Sequence, residues 1–279
     1  MLRLDYDTLL LPDLHLRRTV SRRLAVLTES HQLGAWFFGD THVHLAWFGP
    51  PPMVVEGTRR VQLIVQASQR PGVRFLPPRY KWFHDQGHRS NTTHYCLSQA
   101  DGHGLTQDPF GDGDCRVDLL GLRVCAPGLA HRVRRFVPRL QEAYVAERLG
   151  LTPDELTAWT RPLPEPAYEH LAEVAAAALG LPSLEGRRPA VVVARAAAVH
   201  ACLPEVSSAV LGAALGVTPR AVQKIRLRTA DPAAVLAVRR QARWRRREAD
   251  RSLGLANEAD LPAASPPRQF AQGGARSAQ

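Results

Sequence analysis

Thr41-His42-Val43-His44-Leu45-Ala46-Trp47-Phe48 sets two histidines around a valine inside an apolar run. Gly39-Asp40 precedes it and Gly49-Pro50-Pro51-Pro52 follows, so the run has strand length and turn-forming boundaries. Valine, leucine, tryptophan and phenylalanine suit a pleated, half-buried surface. Residues i and i+2 of a strand share a face, so His42 and His44 are expected side by side, with Val43 in the opposite layer. Two imidazoles on one rigid strand are a candidate pair of divalent-metal ligands. By itself the pattern is weak, because 11 histidines in 279 residues supply roughly 0.4 such pairs by chance. It needs a partner elsewhere in the chain.

The neighbouring segments give the strand its setting. Leu33-Gly34-Ala35-Trp36-Phe37-Phe38 is a second strand-like run, and joined to the first through Gly39-Asp40 it predicts a β-hairpin. Leu16, Val20, Leu24 and Leu27 recur at helical spacing, with Arg17, Arg18, Arg22 and Arg23 on other faces, so a helix is expected from Leu14 to about Ser30. Residues 2–11 read as a first strand, Val54 to Gln69 as a helix, and Ser90-Asn91 as the cap of a short helix through Tyr95 and Gln99. Residues 105–128 are rich in glycine and aspartate with little regular pattern. Helices and strands alternating over an antiparallel sheet make residues 1–128 an α+β domain.

The second half reads as all-helical. A basic helical stretch spans Ala130 to Gly150, and Thr152-Pro153-Asp154-Glu155 is a capping box that starts another helix. Residues 129–188 form a helical linker region, and 189–251 a separate domain. Within it, Val206 to Ile225 resembles a helix-turn-helix: a first helix ends at Leu215, Gly216-Val217 turns, Thr218 caps the second helix and Pro219 takes its first position. Arg220, Gln223 and Lys224 are the residues expected to face a major groove. An ordinary helical hairpin is the competing reading. Arg239 to Arg247 is a cationic helix or arm whose Arg243, Arg245 and Arg246 are expected to add phosphate contacts, and residues 252–279 read as a disordered tail.

Composition narrows the partners. Lysine and arginine outnumber aspartate and glutamate by 36 to 26, a surplus that fits a polyanion such as nucleic acid, or an arginine-biased genome. Val73 to Phe83 interleaves Arg74, Arg79 and Lys81 with aromatic rings, a mixture suited to single-stranded nucleic acid or to a solvated edge strand; Arg89 adds a further cation nearby. The four cysteines form no Cys-x-x-Cys pair, so neither a zinc ribbon nor a redox motif is indicated. With no secretory h-region and no membrane-length apolar run, the chain is expected to be cytoplasmic and without a membrane partner.

Tyr95 and Gln99 supply what the histidines lack. At i and i+4 on a helix, a phenol and an amide oxygen project from one face. A divalent metal on His42, His44 and Gln99 would polarise a scissile phosphate for attack by Tyr95, and Mg²⁺ or Mn²⁺ suits such mixed nitrogen and oxygen donors.

His42-Val43-His44-Leu45 resembles the His-hydrophobic-His signature of the HUH single-strand DNA endonucleases. Tyr95-Cys96-Leu97-Ser98-Gln99, continuing through Gly104-Leu105 to Asp108-Pro109, is similar to the tyrosine helix of the IS200-like and REP-associated tyrosine transposases, the single-tyrosine branch. The resemblance covers roughly residues 1–125, and the later helix-turn-helix is similar to that of replication initiators. It implies a ferredoxin-like sheet, Tyr95 as nucleophile, and His42, His44 and Gln99 as metal ligands. It further implies transposase-like cleavage of single-stranded or hairpin DNA through a 5′-phosphotyrosine intermediate, by a monomer or homodimer. Gly39-Asp40-Thr41 stands where relatives carry Met-Pro-Asn, and Gln99-Ala100 where Asn-Pro is common. The alternative is therefore a non-catalytic DNA-binding regulator that uses the helix-turn-helix.

Overall fold

The computed structural model describes residues 1–4, 10–11, 13–69, 74–99, 110–164 and 170–253. Strands β1 (Leu2–Arg3), β2 (Leu33–Phe38) and β3 (His42–Trp47) form an antiparallel sheet in the order β1-β3-β2, which makes the chain α+β. The expected hairpin is present. Phe37 pairs with His44 and Phe38 with Val43 across it, while Arg3 of β1 lies opposite His42. β3 is thus central, with a strand on either side. Each outer edge carries one further bridge, Leu4 with Phe75 beyond β1 and Phe37 with Asp114 beyond β2. Of the first strand expected over residues 2–11, Leu2–Arg3 is strand, Leu10 and Leu11 are not, and residues 5–9 lie outside the described residues.

Helix α1 (Leu14–Ser30) has the bounds its periodicity predicts, with the Asp13 carboxylate accepting from the His15 amide at 2.8 Å. Its arginines do not all face solvent. Arg17 and Arg18 are buried, Arg17 against the segment before the helix and Arg18 against later ones. The Arg17 Nε donates to the Leu11 carbonyl, and Arg18 pairs with Asp112 at 2.7 Å and Glu173 at 2.6 Å. Helix α2 (Pro51–Gln66) packs on α1, and α3 (Gln86–Leu97) lies against β2 and β3. α3 starts four residues before Ser90 because the Asp85 side chain caps it, accepting from the His88 amide at 2.7 Å.

Among the described residues seven short helices follow: α4 (Arg116–Leu119), α5 (Leu129–Phe136), α6 (Glu142–Glu147), α7 (Pro153–Ala158), α8 (Leu171–Ala178), α9 (Pro189–Ala201) and α10 (Ser208–Leu215). The long helix expected from Ala130 to Gly150 is split into α5 and α6 around Pro138, whose ring and missing N–H break a helix interior. α7 opens on the expected capping box, in which Thr152 and Glu155 satisfy each other's backbone N–H. α11 (Pro219–Arg226) and α12 (Pro232–Ser252) complete the order.

The described apolar residues gather in two clusters. One runs from Leu2 to Leu156 and the other from Leu163 to Ala242. Residues 129–156 therefore pack with the sheet, although their sequence reads as a connector. α12 belongs to both, for Ala234, Ala237, Val238 and Ala242 line the second cluster while Trp244 enters the first. The arginines of α12 fasten this junction. Arg239 donates to the carbonyls of Thr160, His200 and Ala201, Arg240 to those of Leu120 and Leu156, and Arg247 reaches Glu155 at 2.6 Å and the Gly150 carbonyl. Unlike a freely solvated arm, these side chains satisfy backbone oxygens at the ends of neighbouring helices. Among the described residues, no helix is long and apolar enough to cross a membrane.

Candidate active site

β3 fixes the two histidines by strand periodicity. Val43, between them, is buried in the opposite layer, and the His42 and His44 rings meet edge to face with centroids 4.7 Å apart. His44 is buried and His42 partly exposed. Gly39 closes the turn by donating its N–H to the His42 carbonyl at 2.8 Å.

α3 brings the tyrosine to this pair. Thr93, Cys96 and Leu97 are buried on the side that packs toward the sheet, while Tyr95 remains 56 % exposed. Its ring nevertheless meets that of His44, with centroids 5.5 Å apart and planes at 78°. Tyr95 is thus open to a large substrate and in ring contact with His44 of the histidine pair. Gln99 is buried one turn further on, and its amide nitrogen donates to the Tyr95 carbonyl at 3.0 Å. That bond commits the amide nitrogen to the helix end and leaves the oxygen as the atom Gln99 could offer to a ligand. Among the described residues, no group of three or more His, Cys, Asp or Glu is placed to hold a metal ion. Gly104, Leu105, Asp108 and Pro109, which continue the tyrosine-helix pattern, lie outside the described residues.

The expected nucleic-acid contacts fall into distinct places. Arg74, Arg79 and Lys81 are exposed on the segment that bridges to β1. Arg89 is held between the rings of Phe83 and Phe136, 5.8 Å from each centroid. Arg220, Gln223 and Lys224 are all exposed on α11. The turn before that helix has the expected form: Gly216 is left-handed at φ 62°, and the Thr218 side chain accepts from the Ala221 amide. Arg243 instead donates to the Trp159 and Pro162 carbonyls, and Arg245 covers the Phe110 ring at 4.1 Å while bonding Gln241. Of these three α12 arginines only Arg246 is exposed.

The sequence offered no hint of the buried charge layer behind β2. Arg123 donates to Asp118 at 2.6 Å and to the carbonyls of Asp112 and Asp114, and Arg116 pairs with Asp114. Phe38 and Cys115 make backbone bonds in the same place, to the Gly113 and Trp36 carbonyls. These groups anchor residues 112–118 to the strand paired with β3, and so brace the histidine strand from behind. Burial, reinforced by Asp114, pushes the Cys96 thiol beside Tyr95 far above its usual range, so this cysteine is an inert packing residue. Comparison of the chain with protein-family models, curated proteins and solved structures finds no match.

Proposed function

We propose that the protein is a metal-dependent single-strand DNA transesterase with Tyr95 as its nucleophile. The observation that carries this reading is the contact of an exposed tyrosine with a buried histidine whose strand neighbour is a second histidine. The order of elements lends support. β1, α1, β2, β3 and α2, followed by the Phe75 row beside β1, follow the β-α-β-β-α-β succession of ferredoxin-like folds. An octahedral Mg²⁺ or Mn²⁺ held by the two imidazoles and the Gln99 amide oxygen would keep positions open for water and for a phosphate oxygen. When bound, such an ion would neutralise charge on the scissile phosphate and on the developing phenolate.

The chain's own groups account for the remainder of the chemistry. His42 and His44 hold a fixed position because their strand is paired on both sides. Tyr95 presents its hydroxyl from the last turn of a helix packed on that sheet. Its oxygen forms a bond to the DNA phosphorus, and the bond from phosphorus to the 3′-oxygen breaks. The phenolic proton passes to solvent, and the departing 3′-oxygen takes up a proton to become a hydroxyl. The 5′ phosphate then stays on Tyr95 as an ester, so the reverse attack rejoins strands without a separate energy source. Alanine at His42, His44 or Gln99 is expected to abolish Mn²⁺-dependent nicking of a hairpin-bearing single strand while leaving the fold intact. Nicking that survives His44→Ala, or that survives chelation, contradicts the reading.

A second reading rests on α11. Arg220, Gln223 and Lys224 are exposed together on a capped helix that follows a tight turn, an arrangement suited to reading duplex DNA. The protein would then bind DNA as a regulator without cutting it. Tight duplex binding that Arg220→Ala and Lys224→Ala abolish, with no nicking of any single strand, favours this function.

A further inference from the structure

Between α2 and α3 the chain carries an exposed aromatic pair that the proposed chemistry does not use. Tyr80 and Trp82 are 40 % and 45 % exposed, and their rings lie parallel, at 5°, with centroids 5.6 Å apart. Paired exposed rings, unlike single exposed apolar side chains, make a contiguous flat apolar surface. They come two residues apart on an extended segment, so both project to the same side. The pair is also held in place. Leu76 donates to the Arg3 carbonyl, Arg79 to the Met1 carbonyl, and the Met1 amino group back to the Arg79 carbonyl at 2.9 Å. The segment therefore runs as an outer row beside β1, with β3 on the far side of β1. At the ordinary strand spacing this puts it roughly 10 Å to the side of the histidine strand.

Charge settles what kind of ring the pair would receive. Arg74, Arg79, Lys81 and His84 are exposed along the same segment, and no acidic residue occurs from Arg74 to His84. Two parallel, stacked rings bordered by cations match a polymer that alternates flat bases with phosphates. The 5.6 Å between centroids leaves no room for a base between the rings, so a base must add to the outer face of the stack. We infer that Tyr80 and Trp82 form a base-stacking platform for single-stranded DNA. On this platform Arg79 and Lys81 neutralise the adjoining phosphates, and the strand is gripped to one side of Tyr95. The site rests on the single-stranded DNA reading above, but it requires neither the metal nor the tyrosyl chemistry.

The test uses the full chain carrying Tyr95→Phe, without divalent ions, so that cleavage plays no part. Two probes of equal length are compared: an oligothymidylate, and an abasic strand with the same phosphates and no bases. The oligothymidylate is expected to bind roughly ten-fold more tightly. Tyr80→Ala with Trp82→Ala should remove at least five-fold of that preference and leave abasic binding within two-fold, at roughly the stacking strength expected per base. Arg79→Ala with Lys81→Ala should weaken both probes alike, and their ratio should stay as it was. A base preference that is absent, or that survives loss of both rings, overturns the platform. A loss of affinity for both probes on removing the rings also overturns it, since that would be packing or charge and not stacking. Both rings are exposed, and an unchanged melting temperature in the double variant confirms that the fold is intact. Nicking by the unaltered chain is scored separately, so failure of the platform and failure of the tyrosyl chemistry are told apart.

Discussion

If His42 holds a metal as proposed, replacing Gly39 by alanine is expected to weaken divalent-metal binding far more than it alters stability. The backbone at Gly39 is not left-handed, so alanine meets no conformational penalty there. A side chain at this position does, however, point at His42: a Cβ would lie 3.0 Å from both Cε1 and Nε2 of that ring. Ordinary contact begins near 3.4 Å, so the imidazole must retreat by about 0.4 Å. Metal–ligand distances tolerate only about 0.2 Å either way. The displacement is thus about twice what a bound ion accepts, and losses on the order of 10- to 100-fold in metal affinity follow from disturbing a ligand's orientation by such a route. Stability changes little. Restricting the unfolded chain gains about 0.4–1 kcal/mol, and the crowding of one ring offsets a similar amount. Calorimetric titration with Mn²⁺ on native and Gly39→Ala protein, beside thermal melts, reads both quantities. Unchanged Mn²⁺ affinity in Gly39→Ala, where His42→Ala abolishes it, would refute the reasoning.

Two further predictions concern the junction between the clusters. Trp244 is fully buried in the first cluster on a helix that lines the second, and it meets Phe110 edge to face at 5.7 Å. Trp244→Ala should cost about 3–5 kcal/mol and lower a single cooperative transition in denaturant; two separate transitions, with one unaffected, would show that α12 does not join the halves. Glu173 supplies the pH dependence. Burial raises its carboxyl, but hydrogen bonding from Arg18 and the charges of Arg18 and Arg245 outweigh this and hold it below the usual 4.5. A depressed carboxyl adds stability above its unfolded value that is lost as pH falls through the folded one. Glu173→Gln should therefore be less stable than the native chain near neutrality, and the gap should close below about pH 4.5. A gap that persists in acid would assign the loss to packing instead.

Periodicity and turn chemistry made much of the architecture legible. The spacing of Leu16, Val20, Leu24 and Leu27 gives α1 its observed bounds, Gly39-Asp40 marks the hairpin turn, and Thr152 with Glu155 forms its capping box as read. These features are local, and the signal lies within a few residues of its effect. The arginines behaved differently. In sequence, Arg17, Arg18, Arg243 and Arg245 look like solvated charges, yet Arg17 turns back onto the Leu10 and Leu11 carbonyls and the other three find partners far along the chain. A guanidinium on a long stem can cap a distant helix or cover a ring, and no local pattern shows which arginine will do so. The same limit applies to the site. The spacing His-x-His suggested a shared face, and the rings do share one, but the approach of Tyr95 to His44 depends on α3 lying across β3. The buried layer from Asp112 to Arg123 was illegible for the same reason: its carboxylates look like loop residues until the sheet is assembled.

Capture of the covalent intermediate tests the proposed chemistry most directly. The protein is incubated with Mn²⁺ and a labelled hairpin-bearing single strand, denatured, digested and mapped by mass spectrometry. The expected result is a nucleotide joined through its 5′ phosphate to the Tyr95 phenol, absent in Tyr95→Phe and absent under chelation, with DNA binding retained in both. An adduct on another residue, or none on any single strand to which the protein binds, would contradict it.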